Sequence, residues 1–174
     1  MNAIGIATLI DQRNFGNRLQ NYALQESIRK LGFQDVRTIP NRQGSFNGMH
    51  PLRRKLELVL SGDVGSLVKT RLGIGGVSHQ GYVADTHSLN LFTNKYIVQD
   101  ELAFVDSRSF AAGATRYGAI VVGSDQVWNP QFGLAQGLDF LEFVSRPQRV
   151  SYAASFGVPT LPKRMAKRYR VGLS

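Results

Sequence analysis

The sequence predicts one α/β domain, a Rossmann-like, open and mainly parallel sheet flanked by helices. Three observations predict it. Short continuous apolar runs, AIGIATLI at 3–10 and YGAIVVGS at 117–124, suit strands covered on both faces, as parallel strands are. Stretches with apolar residues every three or four positions lie between such runs, which is helical spacing. The strand-like runs, at 3–9, 36–39, 119–122 and 150–154, alternate with these stretches instead of following one another. A chain of 174 residues is long enough for one such core and too short for two comfortable ones.

Taken in order, the 3–9 strand gives way to NFGNRLQNYALQESIRKLGF. Leu19, Tyr22, Ala23, Ile28 and Leu31 recur there at helical intervals, Asn17 can cap the start, and Gly32 sits where a helix stops. VRTIP is a second strand ended by Pro40, so residues 3–40 form a β-loop-α-β unit. From 41 to 81 the periodicity weakens, and eight of the 18 glycines fall there; the stretch reads as a variable arm with a helix over PLRRKLELVLSG, or as a disordered insertion. GIGGVS at 73–78 is not a dinucleotide fingerprint, because Ser78 takes the third glycine position and no clear strand precedes it. Order returns with helical spacing in SLNLFTNKYI and ELAFVDSRSFAAGA, then the 119–122 strand, the RVSYAASFG strand and the basic KRMAKRYR.

Composition limits the chemistry. With 21 Lys and Arg against 12 Asp and Glu, the net charge of +9 favours anionic partners. The absence of cysteine excludes disulfides, thiolate catalysis and zinc-thiolate sites and makes the cytoplasm the expected location. His50, His79 and His87 are too scattered for a metal site, and none is expected. AIGIATLI follows no basic segment, and no apolar stretch approaches the roughly 18–20 residues of a membrane helix.

In an open parallel sheet, ligands bind beyond the carboxyl ends of the strands. Three segments end there. In DQRNFGNR, Asn14, Gly16 and Asn17 open a helix whose N-H groups and dipole suit an anion, and Arg18 and Arg13 can add charge-assisted bonds to phosphate or carboxylate; an ordinary capped loop is the alternative. In VVGSDQVWNP, Gly123, Ser124 and Asp125 bring a small residue, a hydroxyl and a carboxylate to the rim, suited to sugar hydroxyls or general-base work, with Gln126 and Asn129 as donor-acceptor pairs. Trp128 either stacks on a sugar or walls the loop, and Asp125 alternatively caps a turn. In AASFGV, small residues around Ser155 allow close approach, and Gly157 permits a turn. No GxxxxGK[ST], GxSxG or HExxH occurs, which disfavours P-loop, α/β-hydrolase and zincin chemistry.

The order and spacing of NFGNRLQNYALQ, YGAIVVGSDQVWNP, LDFLEFV at 138–144 and RVSYAASFGV resemble the N-terminal half of the polysaccharide pyruvyl transferase family along nearly the whole chain, the 41–81 arm excepted. The resemblance implies one half of a GT-B-like, two-domain enzyme that transfers pyruvate from phosphoenolpyruvate, as donor substrate and with no cofactor, to a sugar of an exopolysaccharide or cell-wall glycan as a ketal. Asp125 would contact or deprotonate acceptor hydroxyls, oriented by Ser124, Gln126 and Asn129, with Asn17 and Arg18 lining the same cleft. Members continue into a second α/β half. The resemblance therefore implies that residues 1–174 are inactive alone and need that half in cis or in trans. A lipid-linked acceptor and an anionic membrane would give the positive charge a use, with peripheral contact at the inner membrane face.

A second class of function starts from the charge. Seven basic residues lie between Arg37 and Arg71 and five between Lys163 and Arg170, so a non-catalytic polyanion-binding module is the alternative, with a sugar-nucleotide-binding fold as a third. No RNA-stacking aromatic motif accompanies them, and no specific nucleic acid is expected.

Overall fold

A computed structural model describes residues 3–11, 14–40, 86–101, 107–130 and 138–174. The 41–81 arm with its 51–62 helix and GIGGVS run lies outside them, as do Arg13, His50, His79 and residues 102–106 of the expected 101–114 helix. Among the described residues four strands, Ala3–Ala7 (β1), Val36–Thr38 (β2), Tyr117–Gly123 (β3) and Arg149–Tyr152 (β4), form one sheet in the order β2-β1-β3-β4. Every pair is parallel. The helices among the described residues are Phe15–Lys30 (α1), Thr86–Tyr96 (α2), Ser107–Ala114 (α3) and Lys163–Leu173 (α4).

Side chains alternate across a strand, and here both sides are covered. Ile4, Ile6 and Val121 face Leu24 and Ile28 of α1, together with Val36. Ala3, Ala7, Ile120 and Val122 face Phe110 and Ala114 of α3 and the turns carrying Leu138, Leu141 and Val144. That double burial is why β1 and β3 read as continuous apolar runs, each fully buried large aliphatic contributing about 1.5–3 kcal/mol. The outer edge of β2 is covered by residues 98–100, through Thr38 N to Val98 O at 2.9 Å and Asp100 N to Thr38 O at 2.8 Å. Among the described residues β4 pairs only with β3, and its Val150 and Tyr152 are exposed.

Helix α1 departs from the sequence expectation in two ways. Asn14, not Asn17, is its N-cap, and the Asn14 side chain accepts from Asn17 N at 3.1 Å. Its buried face is Asn17, Arg18, Asn21, Leu24, Gln25 and Ile28, while Leu19 and Leu31 stand 52 % and 77 % exposed. The reason is position. Only the C-terminal half of the helix reaches the apolar sheet face, whereas its N-terminal half passes over the strand ends, where exposed backbone groups reward hydrogen bonding instead of apolar contact. Tyr22 turns the other way and meets Phe92 and Tyr96 of α2 edge-on.

The strand order also creates a cleft. From β1 the chain crosses to β2 on one side, and from β3 it crosses to β4 on the other, so the connections diverge between β1 and β3. Such a divergence leaves a crevice at the carboxyl ends of the two strands.

Candidate functional site

The β3 exit is built by two glycines. Gly123 has φ +127°, and a Cβ there would run into the Tyr152 carbonyl of the paired strand, so only glycine lets the chain turn without breaking the Gly123–Tyr152 register. Gly157, at φ +62°, lies against the side-chain amides of Gln126 and Asn129. Ser155 N donates to Asp125 O at 3.0 Å and Trp128 N to Ser155 O at 3.1 Å, which stitches the 124–129 loop to the exit of β4. The result holds Asp125 half-buried at the rim, with Oδ1 accepting from Gln126 N at 2.7 Å.

From the β1 side, Asn17 reaches across. Its Nδ2 donates to Asp125 Oδ2 at 2.9 Å, joining residues 108 apart in sequence. The Asn17 amide has one possible orientation, because its Oδ1 is already the acceptor for Asp11 N at 2.9 Å and for Arg18 Nη2 and Nε at 2.6 and 3.3 Å. Arg18 is fully buried, and its Nη2 also donates to Leu9 O at 3.1 Å. Burial lowers its pKa from the usual arginine value, partly opposed by the charge of Asp11. A guanidinium stays protonated well above neutral pH, so a full positive charge sits beneath the crevice floor.

The hydrogen-bond inventory defines what this rim can recognise. An ionised carboxylate only accepts, and each Asp125 oxygen keeps capacity beyond the one donor it meets among the described residues. The Ser124 hydroxyl accepts from Gln20 Nε2 at 2.9 Å, which leaves its own proton to be donated elsewhere. An acceptor and a donor on adjacent residues, both half-buried, match a ligand hydroxyl and its neighbour.

Of the residues expected from sequence, Asn14, Gly16, Asn17, Arg18, Gly123, Ser124 and Asp125 come together at this one rim, Gly16 exposed at the start of α1. Gln126 and Asn129 face each other instead, Asn129 Nδ2 donating to Gln126 Oε1 at 2.7 Å. Trp128 walls the loop: its indole N-H donates to Asp139 O at 2.8 Å, its carbonyl accepts from Tyr169 OH at 2.8 Å, and its ring packs on Phe156. Ser155 contributes its backbone. Gln20 was missed, along with the buried amide Asn21. The signal for Asn21 was present in sequence: Asn17, Asn21 and Gln25 follow at four-residue spacing, with charged Glu26 and Lys30 kept off that stripe.

Among the described residues, no group of three or more His, Cys, Asp or Glu is placed to hold a metal ion, and no helix is long and apolar enough to cross a membrane. Comparison with protein-family models, with curated proteins and with solved structures finds no match to this chain.

Proposed function

We propose that this domain is the acceptor-binding half of a polysaccharide pyruvyl transferase, one side of a GT-B-like pair that moves pyruvate from phosphoenolpyruvate onto a sugar as a ketal. The single observation that carries the reading is the 2.9 Å contact of Asn17 Nδ2 with Asp125 Oδ2 at the β1/β3 divergence. It supports a fixed, half-exposed carboxylate facing the crevice. In the proposed reaction, Asp125 accepts the proton of one acceptor hydroxyl as that oxygen bonds to the central carbon of the enolpyruvyl group, whose methylene carbon takes up a proton. The C-O bond to phosphate breaks, and a second hydroxyl closes the ring. Of the two hydroxyl protons, one balances the new methyl group and the other leaves with phosphate. The Ser124 hydroxyl orients the acceptor, and further basic residues belong to the second half that the family resemblance implies.

Sugar binding is the test for this chain, since that resemblance assigns turnover to both halves together. Saturation-transfer NMR with neutral glycosides carrying a free diol should detect binding by the 174-residue protein, and Asp125→Asn should weaken it by about tenfold, the scale of one hydrogen bond to a charged group. Absence of binding to every such glycoside, or an unchanged affinity in the variant, would overturn the proposal.

A polyanion-binding module is the second reading, favoured by α4. Its Tyr169 and Gly172 pack inward on Phe140, Arg168 pairs with Glu142, and Lys163, Lys167 and Arg170 are left exposed on a helix without acidic residues. Binding to nucleic acid or anionic vesicles that collapses with salt, with no sugar binding, would select it.

A further inference from the structure

The buried stripe of α1 is satisfied at its two ends, Asn17 and Gln25, but not between them. Gln25 has every polar atom engaged, its Nε2 donating to Thr38 Oγ1 at 2.8 Å and Val98 O at 2.7 Å and its Oε1 accepting from Val98 N at 3.1 Å. Toward the crevice this changes. Among the described residues, three buried side-chain atoms have no hydrogen-bond partner: Thr8 Oγ1, Arg18 Nη1 and Asn21 Nδ2. They share one neighbourhood. Arg18 Nη2 is on Leu9 O, one residue past Thr8; Asn21 is one turn beyond Arg18 on the same buried face; and Asn21 Oδ1 accepts from Thr38 Oγ1 at the end of the adjoining strand.

These atoms have a common chemistry. Arg18 Nη1 and Asn21 Nδ2 only donate, and Thr8 Oγ1 can donate. One carries a full charge with no carboxylate at ion-pair distance among the described residues. Leaving a buried donor unmade costs about 1–3 kcal/mol, more beside a charge, so three on adjoining segments are not explained by packing. What they lack is an acceptor, preferably a negative one.

We infer that Thr8, Arg18 and Asn21 form a subsite for a small oxyanion, a carboxylate or phosphate group, behind Asn17 at the carboxyl end of β1. The Asn17 amide then lies between the anion and Asp125, separating two negative groups while bonding to the guanidinium and the carboxylate. The position suits an anionic donor group beside a hydroxyl acceptor. All three atoms are closed to solvent, so entry requires opening of the first turns of α1, and association is slower than simple encounter. The inference stands apart from the transfer reaction. Oxyanion binding without sugar binding would leave it intact and overturn the proposed function, and the reverse result would do the opposite.

The test uses the intact 174-residue chain at constant ionic strength. Inorganic phosphate and pyruvate are titrated separately against chloride, followed by calorimetry and by the NMR signal of the Arg18 Nε-H. Saturable binding of about millimolar strength or better is expected for at least one of the two, the responding arm naming phosphate or carboxylate. Asn21→Asp places a carboxylate beside the guanidinium and should reduce that affinity by about tenfold or more, while Thr8→Val removes one donor at nearly constant volume and should reduce it several-fold. If an ordered water alone satisfies the three atoms, neither anion will bind beyond the chloride control. That result, or wild-type affinity in both folded variants, overturns the inference.

Discussion

Replacing Asn17 with alanine removes a hub that serves three groups of unequal value. Asp125 is half-exposed, and water replaces the lost donor at a cost of under about 1 kcal/mol; Asp11 N belongs to an exposed residue and loses little. Arg18 decides the outcome. Being fully buried, it would keep, among the described residues, only Leu9 O as an acceptor for its guanidinium, and hydrogen bonds to a buried charged group are worth about 1.5–3 kcal/mol. The expected loss is therefore about 2–4 kcal/mol, a large share of the 5–15 kcal/mol typical of a domain. Urea unfolding followed by Trp128 fluorescence and circular dichroism should show a lower midpoint at unchanged m-value. The sharper measurement is a double-mutant cycle with Arg18→Met, which removes the charge but keeps an unbranched chain. In that background Asn17→Ala should cost less than about 1 kcal/mol. If the full loss persists without the guanidinium, the assignment of Asn17 as the support of a buried charge is wrong.

Two further outcomes follow from the same geometry. Gly157→Ala should destabilise by about 2–4 kcal/mol, because its φ of +62° is strained for alanine and the new methyl meets the Gln126 and Asn129 amides; Gly32→Ala, at φ +101° with open space around it, should cost only about 1–2 kcal/mol, and equal losses in thermal melts would refute the crowding. Burial, with a smaller contribution from Asp139, pushes the Tyr169 phenol up from 10.0 to about 12. Below pH 10 the phenol is neutral in both folded and unfolded chains; above it only the unfolded phenol ionises, so stability should fall as pH rises from 10 through about 12. Tyr169→Phe should remove that part of the pH dependence, measured by unfolding across the range, and an unchanged profile would count against it.

The hydrophobic pattern was enough to predict the sheet. AIGIA and AIVV are apolar without alternation because helices and turns cover both faces of a parallel strand, and the structure places β1 and β3 where those runs fall. The two loops that meet at the rim were also legible, since a polar break after a buried apolar run, Asp-Gln-Arg-Asn after the first and Gly-Ser-Asp-Gln after the third, marks a strand exit. The buried face of α1 was not. Periodicity counts apolar residues and takes the core to be apolar, so it chose Leu19, Tyr22, Ala23 and Leu31 and passed over an amide stripe.

Sequence by itself determined that this chain is a parallel α/β domain with a carboxylate delivered to the end of a buried strand, because burial on both faces leaves its mark residue by residue along each strand. Tertiary structure decided the rest: that β1 and β3 are neighbours, that Asn17 spans from one to Asp125 on the other, and that Arg18 lies sealed beneath them. A contact between residues 108 positions apart depends on strand order and helix rotation, which local spacing does not encode, and a buried cation reads along the chain like any solvated one.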